Sequence, residues 1–260
     1  MSDLRDKVVV VTGGGRGIGR ATALRFAEAG SRVVVAARTP GQIEAVAEEV
    51  RSAGGACLAV ATDVRDEAAV RELASRTLDE FGAADVLVNN AGGGGGRSAL
   101  VDMEVEQWDE TFALNCRGSF LCCKHFLPAM IERHQGSIVN VGSASARHGR
   151  AMLSAYSAAK YAVIGLTQAL ANEVGRHGIR VNAVMPGTIR TEALQGYFER
   201  LAVERGETVE QVETLYAERS PMQRILETGE IADSILFVAS EAARGMHGHC
   251  MDVNAGAWLH

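Results

Sequence analysis

The sequence predicts a doubly wound α/β fold, a parallel sheet of about seven strands with helices on both faces, and three observations predict it. Short apolar, β-branched runs recur along the chain, helix-length segments separate them, and a glycine-rich turn follows the first run directly. The runs are Val8 to Val11, Val33 to Ala36, Leu58 to Ala61, Val86 to Val88, Ile138 to Val141, Ile179 to Val184 and Cys250 to Val253. Continuous apolarity of this kind suits strands covered on both faces. Between them the expected helices are Ile18 to Ala29, Gln42 to Ala53, Glu67 to Phe81, Val105 to Arg133, Ala155 to Gly175 and Ile231 to Ser240. Right-handed crossovers then make the strands parallel.

Nothing in the composition divides the 260 residues, which are 47% hydrophobic, so one domain spanning 1–260 is expected. The stretch 188–224 departs from the alternation. It is polar and charged, with Leu194, Tyr197, Phe198, Leu201, Val209, Val212, Leu215 and Tyr216 at helical spacing, and it reads as inserted helices over the carboxyl edge of the sheet, a substrate lid.

A formal net charge of -6 argues against a nucleic-acid footprint, which needs clustered cations, and favours a small-molecule partner. The start MSDLRDK opens no apolar leader, and no run of about 18 apolar residues occurs, so a cytoplasmic protein away from membranes is expected. The five cysteines form no C-x-x-C pair and read as reduced, buried thiols. There is no Gly-x-Ser-x-Gly elbow and no His-Glu-x-x-His, and His247-Gly-His249 lacks a third ligand, so no metal site is expected.

Chemistry concentrates in two places. The turn Thr12-Gly13-Gly14-Gly15-Arg16-Gly17-Ile18-Gly19 lies between the first strand and the first helix, where glycine lets the backbone approach a pyrophosphate held at the helix N-terminus. Dinucleotide binding by Gly13, Gly15, Arg16, Gly17, Ile18 and Gly19 follows. At the end of the second strand, where a carboxylate would meet the hydroxyls of an NAD ribose, the chain has Ala37 and Arg38. Arg16 and Arg38 could together grip a 2′-phosphate, and NADP(H) is the expected cofactor. The second place is Ser154-Ala-Tyr156-Ser-Ala-Ala-Lys160, which puts Tyr156 and Lys160 on one helical face, with Ser143 thirteen residues before Tyr156 at a strand end.

With these motifs in order, the chain resembles a short-chain dehydrogenase/reductase, NADP-preferring and similar in size and motifs to the 3-oxoacyl reductases. The resemblance also rests on Asp63-Val64, Asn89-Asn90-Ala91-Gly92, Asn115, and Pro186-Gly187-Thr188-Ile189-Arg190-Thr191. It implies a Rossmann-type fold and interconversion of a ketone and a secondary alcohol, with Tyr156 exchanging the proton, Ser143 holding the carbonyl oxygen and Asn115 supporting a water chain to Lys160. An ammonium about 4 Å from the phenol is worth up to about 4 kcal/mol at an effective dielectric of 20, so Lys160 is expected to lower the Tyr156 pKa from its usual value near 10.

For the cofactor the resemblance implies Asp63 on the adenine amino group, the Val64 backbone beneath the ring, and Asn89 and Gly92 along the adenosine side. Tyr156 and Lys160 also face the cofactor, with Lys160 on the nicotinamide ribose, and Pro186, Gly187, Ile189 and Thr191 lie toward the carboxamide end. A homotetramer with two-fold axes is implied too. The sequence departs from the family pattern at Gly142, where another serine is common, and at Asn254-Ala255-Gly256, where Asp-Gly-Gly is common. A second reading is a catalytically silent dinucleotide-binding regulatory or scaffold protein. Arg190, Arg200 and Arg205 among the glutamates of 188–224 suit a hydroxy acid, a sugar, an acyl thioester or a cyclic ketone alike.

Overall fold

The computed structural model describes residues Ser2 to Trp258. The main sheet comprises β1 (Val8–Thr12), β2 (Arg32–Ala37), β3 (Cys57–Ala61), β4 (Val86–Asn89), β5 (Gly136–Val141), β6 (Ile179–Pro186) and, after the short strands β7 (Ile189–Arg190) and β8 (Leu226–Glu227), β9 (Cys250–Val253). Its order is β3-β2-β1-β4-β5-β6-β9, with every pairing parallel. The seven runs of the sequence are these seven strands. From β1 the chain winds outward to β2 and β3, then crosses back to β4 on the other side. The crossovers leave β1 and β4 in opposite directions, and a crevice opens at the carboxyl ends between them.

The helices are α1 (Gly17–Glu28), α2 (Pro40–Ser52), α3 (Glu67–Phe81), α4 (Val105–Phe112), α5 (Gly118–Glu132), α6 (Ser154–Val174), α7 (Glu192–Arg205), α8 (Val209–Ala217) and α9 (Thr228–Ala239). Successive strand side chains point to opposite faces, so each strand feeds two cores. Val9, Val11, Val33, Val35, Val139 and Val141 pack with Phe26 of α1, Ile43 of α2 and Ile231 and Ile235 of α9. Val10, Val34, Leu87, Ile138 and Val181 pack on the opposite face with Leu73 of α3, Phe126 of α5 and Leu170 of α6. Burying each such side chain contributes about 1.5–3 kcal/mol.

The structure corrects the expectation of one helix from Val105 to Arg133. The helix opens into a π-helical turn at Ala113–Arg117, between α4 and α5. Asn115 lies in that turn, fully buried. Its Nδ2 donates to the carbonyls of Gly93 and Thr111, each at 2.9 Å, and its Oδ1 accepts from Gly93 N–H at 3.1 Å. The widened turn thereby delivers a side chain to the loop after β4, a use for which such bulges recur.

Residues 188–224 form β7, α7 and α8, and β7 pairs with β8 beyond them. Phe198, Ala202, Val212, Tyr216 and Ile225 form a small core of their own. Arg190 binds Glu213 and Glu227, tying the ribbon to α8. His247, one half of the His-Gly-His sequence, uses both ring nitrogens on backbone, with Val181 N–H at 3.3 Å and the Ala171 carbonyl at 2.8 Å.

The departure at Gly142 has a packing reason. A Cβ there would lie 2.2 Å from Sδ of Met185, a fully buried side chain on β6. Gly142→Ser is expected to destabilise the chain by about 1–3 kcal/mol through overpacking, and trimming Met185 to Val in the same chain should recover part of the loss. Urea denaturation of the two single variants and the double variant measures this coupling; additive losses would show that the two positions do not compete for space.

Candidate active site

A cavity of about 960 Å³ runs along the carboxyl edge of the sheet, from the glycine turn after β1 to the segment 188–224. Gly13, Gly15, Arg16, Gly17, Ile18 and Gly19 line one end, with Arg38, Asp63 and Val64. Two glycines make that end possible. Gly13 has φ +65°, in the left-handed region, and a Cβ on Gly19 would lie 2.2 Å from the Gly13 carbonyl oxygen. The turn is thus a bare-backbone cradle that any side chain would fill, and it fits the pyrophosphate of a dinucleotide at the N-terminus of α1.

Arg16 and Arg38 are exposed on this rim, and neither forms an ion pair among the described residues. Asp63 is differently engaged. Both its oxygens bind the Arg65 guanidinium, at 2.7–3.1 Å, and Oδ1 also accepts from Arg65 N–H. The Arg65 hydrogen bond holds its carboxyl below the ordinary value, and Arg38 lowers it further.

At the end of β4 the position expected of Asn89, along the cofactor crevice, is taken by Asn90. Asn89 does not line the cavity: it is buried and donates to Asn140 Oδ1 at 2.9 Å, bridging β4 and β5. Asn90 faces the crevice instead, donating to the Thr12 and Gly13 carbonyls at 2.9 and 3.2 Å. Strand alternation puts adjacent side chains on opposite sides, and pairing continues through Asn89, which fixes which one turns inward.

At the middle of the cavity stand Ser143, just beyond β5, and Tyr156 and Lys160 on the first turns of α6. Ser143 Oγ accepts from Ser145 N–H at 3.1 Å, which leaves the hydroxyl proton to be donated outward. Tyr161 points elsewhere and is 64% exposed. Lys160 is buried, and its Nζ donates to the Val141 carbonyl at 2.7 Å. A Cβ on Gly92 would lie 2.7 Å from Asn115 Oδ1 and 3.1 Å from Lys160 Nζ, so the amide and the ammonium converge on that glycine. Asn115 itself sits behind the cavity wall rather than in it.

The electrostatics differ from the sequence expectation. Burial pushes the Tyr156 phenol up from its ordinary value, although part of the ring is open to the crevice; the Ser143 hydroxyl and then the Arg150 guanidinium oppose the rise. Lys160 is not the charge that lowers it. Its ammonium lies 5.9 Å from the ring centroid, drawn toward the Val141 carbonyl, and burial brings its own pKa down to about 8.

Pro186, Gly187, Ile189 and Thr191 line the far end, where Thr191 also caps α7 by accepting from Leu194 N–H at 3.2 Å. A Cβ on Gly187 would lie 2.8 Å from Asn254 Cα, so the Asn254-Ala255-Gly256 segment closes against the cavity wall. Of the arginines the sequence offered in 188–224, Arg190 is spent on Glu213 and Glu227, while Arg200 and Arg205 do not line the cavity. The structure brings in four that sequence reasoning missed: Arg97, Arg150, Arg219 and Arg224, the last bound to Glu230. The only signal for Arg150 was its place in the interval between Ser143 and Tyr156, which must arch over the sheet edge.

Comparisons with known proteins agree with this geometry. The short chain dehydrogenase family pattern matches residues 7–202. The cis-4-hydroxycyclohexanecarboxylate dehydrogenase of Sinomonas cyclohexanicum is 39% identical over 96% of both chains. The 2,5-dichloro-2,5-cyclohexadiene-1,4-diol dehydrogenase of Sphingobium indicum is 37% identical over 98% of both. A crystal structure of an actinorhodin polyketide ketoreductase variant with NADPH superposes with a TM-score of 0.93 at 31% identity, covering 100% of this chain and 99% of that one. A cradle for a dinucleotide, a serine, tyrosine and lysine at the sheet edge, and relatives matched along almost their whole length lead to one conclusion: the chain belongs to the short chain dehydrogenases, oxidoreductases acting on CH–OH groups and ketones.

Proposed function

We propose that this chain is an NADP(H)-dependent oxidoreductase that interconverts a ketone and a secondary alcohol, with Tyr156 exchanging the proton. The observation that carries the reading is the convergence of Ser143, Tyr156 and Lys160 on the cavity that begins at the glycine cradle. The whole chain acts as one catalytic domain, and 188–224 serves as the substrate lid, since Thr188, Leu194, Tyr197 and Tyr216 of that segment line the same cavity. Val105, Phe120 and Tyr161, exposed on α4, α5 and α6, supply apolar surface for assembly of a homo-oligomer.

The nicotinamide, when bound, supplies or takes up the hydride. The chain's residues place the carbonyl and move the proton. Ser143 donates its free hydroxyl proton to the substrate oxygen and holds it beside the Tyr156 phenol. Because burial keeps that phenol protonated at neutral pH, Tyr156 is poised as a general acid, which suits reduction. Lys160 lies on the inner side of Tyr156, where it replenishes the proton and orients the nicotinamide ribose; Asn115 holds the adjoining Gly93 backbone. Arg16 and Arg38 would hold a 2′-phosphate.

The two arginines each offer a charge-assisted bond of about 1.5–3 kcal/mol, so NADPH is expected to exceed NADH in kcat/KM by at least about 100-fold. Replacing both with alanine should remove most of that ratio. A wild-type preference for NADH would refute the cofactor assignment.

Tyr156→Phe keeps the ring and removes the proton, and should lower kcat for ketone reduction by about 10²–10⁴-fold while NADPH binding, followed by fluorescence, persists. Retained turnover would refute the acid/base assignment. Tight NADPH binding with no turnover of any ketone by the wild-type protein would favour the silent regulatory reading.

In wild type, the reductive kcat/KM should be level at lower pH and decline as pH rises through about 8, where the buried Lys160 ammonium is lost. A profile flat to pH 10 would contradict a role for that charge.

A further inference from the structure

Among the described residues, the cavity of this acidic protein is lined by six arginines, two at the cradle and four toward the substrate end, but by only two carboxylates, Asp63 and Glu192. Of the four, Arg224 is committed to Glu230 through two contacts of 2.6 and 2.7 Å. The other three have no acidic partner among the described residues. Arg219 stacks on Tyr216 with its guanidinium carbon 3.8 Å from the ring centroid, and Arg97 lies over Tyr197 at 5.6 Å. Arg97 donates only to the Ala151 carbonyl, at 3.4 Å.

Arg150 is the most constrained of the set. It lies just before α6 and is only partly exposed, with no hydrogen bond from its guanidinium to any described residue. Burial is the main cost to its charged form, and the like charges of Arg219 and then Arg97 add to it. A partly buried guanidinium without an acceptor is expensive, and Arg150, with the exposed Arg97 and Arg219 lining the same space and no carboxylate paired to any of the three among the described residues, is best satisfied by an incoming anion. Low-dielectric walls then focus that positive field into the cavity.

We propose that Arg150, with Arg97 and Arg219 beside it, forms a carboxylate-binding subsite, and that the substrate is a keto acid or hydroxy acid whose carboxylate this subsite fixes while its carbonyl or alcohol oxygen meets Tyr156. The substrate class rests on the oxidoreductase reading above; the subsite itself does not. Arg150 and Tyr156 line the same cavity, and the guanidinium charge reaches the phenol, so one small molecule can carry both the anion and the reacting carbonyl. The planar guanidinium fork also matches a carboxylate with two parallel bonds, for which a lysine would be a poor replacement.

The test measures binding and turnover separately. With the full chain saturated by NADPH, calorimetry compares cyclohexanecarboxylate, which has no carbonyl to reduce, with the equally shaped cyclohexanecarboxamide. The carboxylate is expected to bind at least about tenfold more tightly. That ratio should collapse toward one in Arg150→Met and shrink in Arg219→Met, whose exposed position makes folding secure; unchanged NADPH affinity reports that the cradle is intact in each. Equal binding of the two probes by wild type, or a ratio kept in both variants, would overturn the subsite. So would displacement of the carboxylate by inorganic phosphate at equal concentration, which would assign the arginines to a phosphate. Turnover of 4-oxocyclohexanecarboxylate and of 4-methylcyclohexanone then separates the two readings. Reduction of both with equal kcat/KM sinks the acid-substrate inference and leaves the reductase standing. Selective carboxylate binding with no ketone reduced sinks the reductase and leaves the anion subsite.

Discussion

The hydrogen bond from Lys160 to the Val141 carbonyl, 2.7 Å long and inside the protein, pins α6, which carries Tyr156, to the sheet. Val141 ends β5, Ser143 follows it by two residues, and Lys160 lies one turn beyond Tyr156 on α6. One contact therefore fixes the serine and the tyrosine relative to each other. The ammonium is buried at a cost, visible in a pKa brought down to about 8, and the carbonyl offsets part of that cost. Asn115 adds a second fastening: the π turn that carries it grips Gly93, next to the glycine on which Lys160 converges.

From that anchor the cavity divides into two electrostatic regions. At the cradle, the glycine-turn backbone lies beside the exposed Arg16 and Arg38, which form no ion pair among the described residues. At the other end, three more guanidinium groups face a space enclosed by α7 and α8. The phenol between them is held protonated by burial and tempered by Ser143 and Arg150. An anion seated on Arg150 would weaken the tempering and keep the phenol a proton donor, coupling substrate charge to the direction of the reaction.

Much of this was legible in the sequence because it depends on local rules. β-branched runs suit buried strands, and residues four apart on a helix share a face, so the sheet and the Tyr156-Lys160 pair could be read directly. The π turn could not, since Val105 to Arg133 carries a continuous helical pattern and the Gly93 contact that Asn115 makes from the turn is 22 residues away in sequence. The exchange of Asn89 for Asn90 turned on where strand pairing ends, an uncertainty of one residue that reverses a side chain. Arg97, Arg150 and Arg219 are far apart along the chain and meet only through the fold, and the arginines prominent in 188–224 proved to be tied up or turned outward. The largest revision concerns Lys160, whose effect on Tyr156 depends on a distance and a competing carbonyl that spacing alone does not give.

The protonation state of Tyr156 is the quantity on which the account turns, and it can be observed without turnover. In protein labelled with 13C at tyrosine Cζ, with Tyr156→Phe used to assign the resonance, the Tyr156 signal should remain that of a phenol at neutral pH and titrate above the ordinary tyrosine value of about 10. A Tyr156 signal already that of a phenolate near neutrality would contradict the account and restore the Lys160 ammonium as the charge that makes this tyrosine acidic.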